Sequence, residues 1–154
     1  GSYQQENIVT VRVAVDQLRK LDWKIDEESI QKGITNVITN TGLHGRWETI
    51  SYSPLIILDV AHNADGVKKM LEQLKRFKFN KLFLVLGISA DKDVNEVLSL
   101  LPKQAEYAFT KAHLPRALDP LQLKTMAETH QLNGDTFENV NDGIQFFKNR
   151  KFYV

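Results

Sequence analysis

Cysteine is absent from the 154 residues, so no disulfide framework braces this chain and no thiolate serves as nucleophile or metal ligand. Long apolar runs are missing as well. Nothing approaches the roughly 20 residues that a membrane span needs, and there is no signal-peptide pattern; a cytoplasmic protein is expected. Neither sign of charge dominates, because 20 basic and 19 acidic residues leave a net charge of +1 and the two signs are interspersed. No electrostatic footprint for nucleic acid or an anionic membrane results, and neither partner is expected. The glycine-rich signatures are missing too: no G-x-x-x-x-G-K-[ST] phosphate loop, no G-x-G-x-x-G dinucleotide fingerprint and no G-x-S-x-G nucleophile elbow. His44, His62, His113 and His130 lack the spacing of metal ligands, so no structural zinc is expected.

What remains is an ordinary globular composition, 42% hydrophobic and 25% charged, at a length that suits one domain or one domain with a short appendage. Gly1-Ser2 reads as a remnant of cloning. Residues 3–44 are helical in pattern. Ile8, Val11, Val15 and Leu18 recur at helical spacing and predict an amphipathic helix from Gln4 to Leu21. Asp26 has the chemistry of an N-cap, ahead of a second helix with Ile30, Ile34, Val37 and Ile38 on its apolar face. Gly42 and Gly45 close the section with a loop. Two helices cannot cover both stripes, so these faces must lean on the following domain, another chain or a missing partner. Self-association through residues 4–38, with Ile8, Val11, Ile30 and Ile34 at the contact, is one expected outcome.

From residue 45 onward, strands and helices alternate. Pro54 to Val60 is a continuous apolar run, as expected of a strand buried on both faces, and Arg46 to Tyr52 alternates like an edge strand. Lys81 to Gly87 and Ala105 to Thr110 read as further strands, with weaker ones over Asp135 to Glu138 and Phe152 to Val154. Helices fit over Asp65 to Phe77, over Val94 to Leu101, from Pro120 behind an Asp119 cap to about His130, and from near Asn141. The pattern predicts a Rossmann-like α/β domain over 45–154, a mainly parallel sheet with helices on both faces. Phe77, Phe79, Phe146, Phe147 and Phe152 read as core aromatics.

Open parallel sheets bind ligands outside the carboxyl ends of their strands, which makes three loops candidates. The first is Asp59-Val60-Ala61-His62-Asn63, ahead of a helix N-terminus that favours anions. The second runs from Gly87 to Asp91-Lys92-Asp93, and the third from Thr110-Lys111 through His113 to Pro115-Arg116. A plainer reading also stands, in which Asn63 caps one helix, Asp91 and Asp93 cap another, and the bases are solvated.

Taken in order, Gly45-Arg46, Leu58-Asp59-Val60-Ala61-His62-Asn63, Gly87 with Asp91-Lys92-Asp93, and Thr110 with Pro115-Arg116-Ala117 resemble the C-terminal domain of the folylpolyglutamate and dihydrofolate synthases, members of the Mur ligase superfamily. Tyr3-Gln4-Gln5-Glu6-Asn7 is similar to that family's Gln…Asn helix start, which implies that residues 3–44 are trailing helices of the central ATPase domain. The resemblance implies an ATP-dependent ligase that forms an acyl phosphate on a folate and passes it to the amine of L-glutamate. The phosphate loop and magnesium ligands belong to the family's central domain. ATP and Mg2+ are therefore the implied cofactors, no metal ligand is expected here, and this segment alone is expected to be inactive.

By the same resemblance Arg46 and His62 are catalytic. Arg46, Asp59, His62 and Asn63 bind ATP, with Arg46 reaching the phosphates and Asp59 accepting from the ribose hydroxyls. Arg116, His62 and Lys92 bind glutamate, with Lys111 a further cation; a bidentate arginine suits a carboxylate. Asp59 also fits a strand-end cap and Arg116 a surface arginine. The family's closing strand with a Gly-Ser pair has no counterpart in Phe152-Tyr153-Val154. Two other readings stand beside this one. One is a sister Mur ligase acting on a cell-wall precursor. The other is a flavodoxin-like signalling module with Asp59 and Thr110-Lys111 as a mimic of a phospho-acceptor site, which lacks the paired acids expected after its first strand.

Overall fold

The structure, a computed structural model, describes residues 4–150; Tyr3 and the strand expected over Phe152 to Val154 lie outside the described residues. The chain divides into two compact units, 1–60 and 61–154.

The first unit opens with α1 (Gln4–Lys20), α2 (Glu27–Thr35) and the short α3 (Val37–Thr41). No residue of α1 is buried, and Val9, Val11 and Val13 stay open. Arginines link α1 to the start of α2. Arg19 donates from Nε to the Ile25 carbonyl at 2.8 Å and from a terminal nitrogen to Glu27 at 3.0 Å, and Arg12 reaches the same carboxylate at 3.1 Å. The two arginines hold the Glu27 carboxyl below its ordinary range. Asp26 caps α2 by accepting from the Ser29 amide at 2.7 Å. Ile30, expected on the exposed stripe, is buried, so it is not part of any surface patch. The predicted second helix also breaks. Asn36 closes α2 by donating its amide to the Lys32 carbonyl, and Gly42, in the left-handed region at φ 66°, closes α3.

β1 (Glu48–Tyr52) and β2 (Leu55–Leu58) complete this unit as an antiparallel pair, Glu48 opposite Leu58 and Tyr52 opposite Leu55. Here the expectation for Pro54 to Val60 fails. The run is neither part of the parallel sheet nor covered on both faces: Ile56 and Ile57 are half-buried, and Leu55 and Leu58 are exposed. A short connection through Ser53-Pro54 lets β2 fold straight back on β1, whereas a parallel partner needs a crossover of a dozen or so residues.

The second unit is a parallel three-stranded sheet, order β3-β4-β5, from β3 (Phe83–Leu86), β4 (Glu106–Phe109) and β5 (Gly134–Thr136). Four helices accompany it: α4 (Ala64–Leu74), α5 (Val94–Leu100), α6 (Pro120–Thr129) and α7 (Val140–Asn149). Each begins at a side-chain cap, Asn63, Asp93, Asp119 and Asn139 respectively. Strand alternation sorts residues to two faces. Leu84, Leu86, Tyr107 and Phe109 enter one core with Val97, Leu98, Leu123, Ala127 and Leu132. On the other face Phe83 stacks obliquely on Phe147 of α7, at 4.5 Å between ring centroids. There, a Cβ on Gly143 would lie 3.1 Å from Ala108 and 3.4 Å from Thr110. Helices thus cover both faces, as the alternation predicts. Two aromatics depart from expectation: Phe77 and Phe79 are 39% and 49% exposed, because they sit in the turn after α4 rather than on an element.

Gly134 lies so close to the Tyr107 carbonyl that any Cβ would collide with backbone. Gly134→Ala should therefore push β5 off β4, whereas Leu123→Ala, at a fully buried site, should cost about 2–5 kcal/mol by leaving a cavity. Urea unfolding of both variants checks this, with Gly134→Ala expected to be at least as damaging; a wild-type midpoint for Gly134→Ala would contradict the close approach.

Candidate functional site

In the first unit, Arg46 stands on a turn clamped at four points. Gly45 (φ 81°) precedes it and Trp47 (φ 56°) follows, both left-handed. The Gly45 amide donates to Glu48 at 2.9 Å, the Trp47 amide to Asp59 at 2.9 Å, and the Val60 amide to the Gly45 carbonyl at 2.9 Å. His44 Nδ1 lies 2.8 Å from the other Glu48 oxygen. A Cβ at Gly45 would come within 2.5 Å of Val60, so the turn accepts only glycine there on steric as well as conformational grounds. The Arg46 side chain is exposed and has no ion-pair partner among the described residues. Asp59 has one carboxylate oxygen engaged in holding this turn, a use that no local pattern announces.

In the second unit, His62 is exposed just ahead of α4, and Asn63 is the cap itself, its Oδ1 accepting from the Gly66 amide at 2.8 Å. The plainer reading of Asn63 is thus realised. Asp93 likewise caps α5 through the Glu96 amide at 3.0 Å. Asp91 does not cap; it pairs with Lys92 at 3.2 Å.

The loops that leave β3 and β4 are tied together by backbone. The Ala90 amide donates to the Arg116 carbonyl at 2.8 Å, the Leu118 amide to the Ile88 carbonyl at 2.9 Å, and Ser89 bridges Ala117. This short antiparallel bridge brings Arg116 beside Asp91-Lys92. Lys92, and more weakly Arg116, hold the Asp91 carboxyl below its ordinary range. Lys111 pairs with Glu138 at 3.4 Å. An open hollow of about 540 Å³ lies along the third loop, lined by Lys111, His113, Leu114, Pro115 and Asp119 among others. Beneath, Thr110 is fully buried, and its hydroxyl has no hydrogen-bond partner among the described residues. Arg46 and Asp59 thus belong to one unit; His62, Asn63, Lys92 and Arg116 belong to the other. Among the described residues no three His, Asp or Glu side chains gather as metal ligands do. No helix among them is long and apolar enough to cross a membrane.

A family model described as "Mur ligase, glutamate ligase domain" matches residues 45–151. The probable bifunctional folylpolyglutamate synthase/dihydropteroate synthase of Haloferax volcanii is 34% identical over 138 residues, covering 90% of this chain and 15% of that protein. The folylpolyglutamate synthase of Lacticaseibacillus casei is 32% identical over 125 residues, covering 77% of this chain and 27% of that protein. Among solved structures, E. coli FolC in complex with ADP, without folate substrate, superposes with a TM-score of 0.69 at 27% identity, covering 89% of this chain and 32% of that one. The chain therefore spans a third or less of these relatives' lengths.

The Gly45 amide, and secondarily His44, lower the Glu48 carboxyl from its ordinary 4.5. A depressed carboxyl stabilises the fold above its ordinary value and loses that contribution as pH falls through the folded-state value. Glu48→Gln should thus lower the melting midpoint at pH 7, and the gap from wild type should close below pH 4.5. Thermal melts across pH, followed by tryptophan fluorescence, measure this; a gap that widens in acid would reverse the assignment.

Proposed function

This chain belongs to the Mur ligase family, as its glutamate ligase domain, and from that premise we propose that it is the C-terminal part of a cytoplasmic ATP-dependent ligase that adds L-glutamate to a folate through an acyl phosphate. The observation that carries the reading is the backbone bridge between the loops after β3 and β4, which gathers Lys92 and Arg116 at the carboxyl end of a parallel sheet. Ligands of such sheets bind there, and two cations suit a dicarboxylic amino acid. Relatives named as folylpolyglutamate synthases support the substrate class.

In this reading residues 3–44 are the trailing helices of the central ATPase domain, and 45–154 the ligase domain. The exposed face of α1 is covered in the whole enzyme or, in this segment, by a second copy meeting it through residues 4–38. Arg46, held on its clamped turn, reaches the ATP phosphates. A guanidinium with fixed position stabilises developing phosphoryl charge without reorganising. Asp59, which also holds the Trp47 amide, accepts from the ribose hydroxyls. His62 and Asn63, at the N-terminus of α4, line the nucleotide and amino-acid side, with His62 positioned to handle the amine's proton. Arg116, His62 and Lys92 receive the glutamate, and Lys111, already paired with Glu138, is a lesser contributor. In this reading the magnesium ligands belong to the central domain.

Two outcomes test the proposal. Residues 1–154 alone should show no folate- and glutamate-dependent ATP hydrolysis, since the chain carries no phosphate loop; turnover above background in a clean preparation would falsify the division of labour. In the full-length ligase that carries this segment, Arg46→Ala should lower kcat and kcat/KM together, and Arg116→Ala should raise the glutamate KM with the ATP KM near normal. Loss of a charge-assisted bond of roughly 1.5–3 kcal/mol corresponds to about ten- to a hundredfold in each case. Steady-state kinetics with each substrate varied in turn decide it, and an unchanged glutamate KM returns Arg116 to the role of a surface arginine.

A further inference from the structure

Asp91 is an anomaly in a loop otherwise suited to anions. It lies beside Lys92 and Arg116, where a carboxylate opposes any anionic ligand. The acids near it have other employment: Asp93 accepts from the Glu96 amide, and Asp119 from the Leu121 and Gln122 amides. Asp91, by contrast, accepts from no backbone amide of a neighbouring helix. Its partner is the flexible ammonium of the next residue, and its side chain is 45% exposed. Its backbone is nonetheless restrained, because the adjacent Ala90 amide is bonded to the Arg116 carbonyl at 2.8 Å. The same bond fixes the spacing between the backbone next to Asp91 and the backbone that carries the guanidinium.

We propose that Asp91 binds the α-ammonium of the incoming amino acid, so that Asp91, Lys92 and Arg116 form the charge mirror of glutamate. Glutamate carries two carboxylates and one ammonium; the cluster offers two cations and one carboxylate. The proposal rests on the reading of Lys92 and Arg116 as the glutamate site and adds to it a residue that sets specificity. A dicarboxylate without the ammonium satisfies the cations but leaves Asp91 opposed by like charge, so the site discriminates by repulsion as well as attraction. Lys92, and more weakly Arg116, lower the Asp91 carboxyl below its ordinary range and favour its ionised form. Asp91 therefore holds the ammonium by a charge-assisted hydrogen bond and is a poor acceptor for its proton, which leaves deprotonation of the attacking amine to another group.

The test compares L-glutamate with glutarate, which keeps both carboxylates and lacks the amine. In the full-length ligase carrying this segment, the glutamate KM and the inhibition constant of glutarate against glutamate are measured for wild type, Asp91→Asn and Arg116→Ala. Asp91→Asn should raise the glutamate KM about tenfold or more while glutarate binds as well as before or better, so the preference for glutamate collapses. Glutarate binding by this variant also shows that its site is folded. Arg116→Ala should weaken both ligands. If Asp91→Asn keeps the wild-type preference while Arg116→Ala weakens both, the role of Asp91 is wrong and the glutamate site stands. If Arg116→Ala changes neither, the glutamate reading fails and this proposal with it.

Discussion

Burial of β4 on both faces is the constraint on which the second unit depends. Tyr107, Ala108, Phe109 and Thr110 are each 1% exposed or less, and the two faces make different demands. Tyr107 and Phe109 fill the side that faces α5 and α6 with large rings, stacked on each other at 5.6 Å. Ala108 and Thr110 are small because α7 comes close on the other side, near enough that Gly143 has little room for a side chain. Interiors are packed to crystal-like density, so neither face tolerates a change of volume without moving a helix. The sheet's lateral register follows from this strand, with β3 and β5 both hydrogen-bonded to it. The Thr110 amide donates to the Leu86 carbonyl at 2.8 Å, so β3 and β4 end level. Level ends let the two following loops lie side by side and form the bridge that gathers Asp91, Lys92 and Arg116.

That chain of dependence explains which parts of the protein could be read from sequence. The strands of the parallel sheet and their helices have local signatures: an apolar run at Leu82 to Leu86, strand formers over Ala105 to Thr110, and caps at Asn63, Asp93 and Asp119. Cap chemistry is a one-residue event; it reads correctly at these three positions, but Asp91 does not cap and the cap at Asn139 is not singled out by its sequence. Pro54 to Val60 misled because an apolar run states that a strand forms without stating its partner. The antiparallel return onto β1 is decided by the connection at Ser53-Pro54, not by the run itself. Phe77 and Phe79 misled for a related reason. Their hydrophobicity marks a core only if an element carries them inward, and the turn after α4 does not.

Other features have no local signal at all. Nothing in the spacing of Arg19 announces that it joins α1 to α2 by reaching Ile25 and Glu27. Asp59 has the same side chain whether it meets a ribose or holds the Trp47 amide; the two uses differ in geometry, which a one-dimensional pattern does not carry. The bridge from 88–90 to 116–118 joins residues too few for periodicity, and its bonds are between backbone groups that every residue owns. Family motifs flagged Lys92 and Arg116 separately. Only the fold puts them beside each other, and only the fold shows that Asp91 is the acid in that loop left without a cap to serve.

The two arginines at the centre of the functional reading are therefore presented by different physics. Arg46 depends on carboxylates: Glu48 holds the Gly45 amide, Asp59 holds the Trp47 amide, and the left-handed residues on either side adopt their conformations because those amides are caught. Protonating or removing such an acid loosens the turn, since a left-handed Trp47 has an intrinsic cost of order 1–3 kcal/mol that neighbouring contacts must offset. Arg116 depends on no titrating group for its backbone position; the Ala90 amide and its own carbonyl suffice. In the proposed function Arg46 meets phosphate charge as it develops, a task that needs a rigid platform, and a turn with several clamps supplies one. In the proposed function Arg116 captures a flexible amino acid, a task that needs only a fixed origin and some reach, and a backbone bridge supplies the fixed origin.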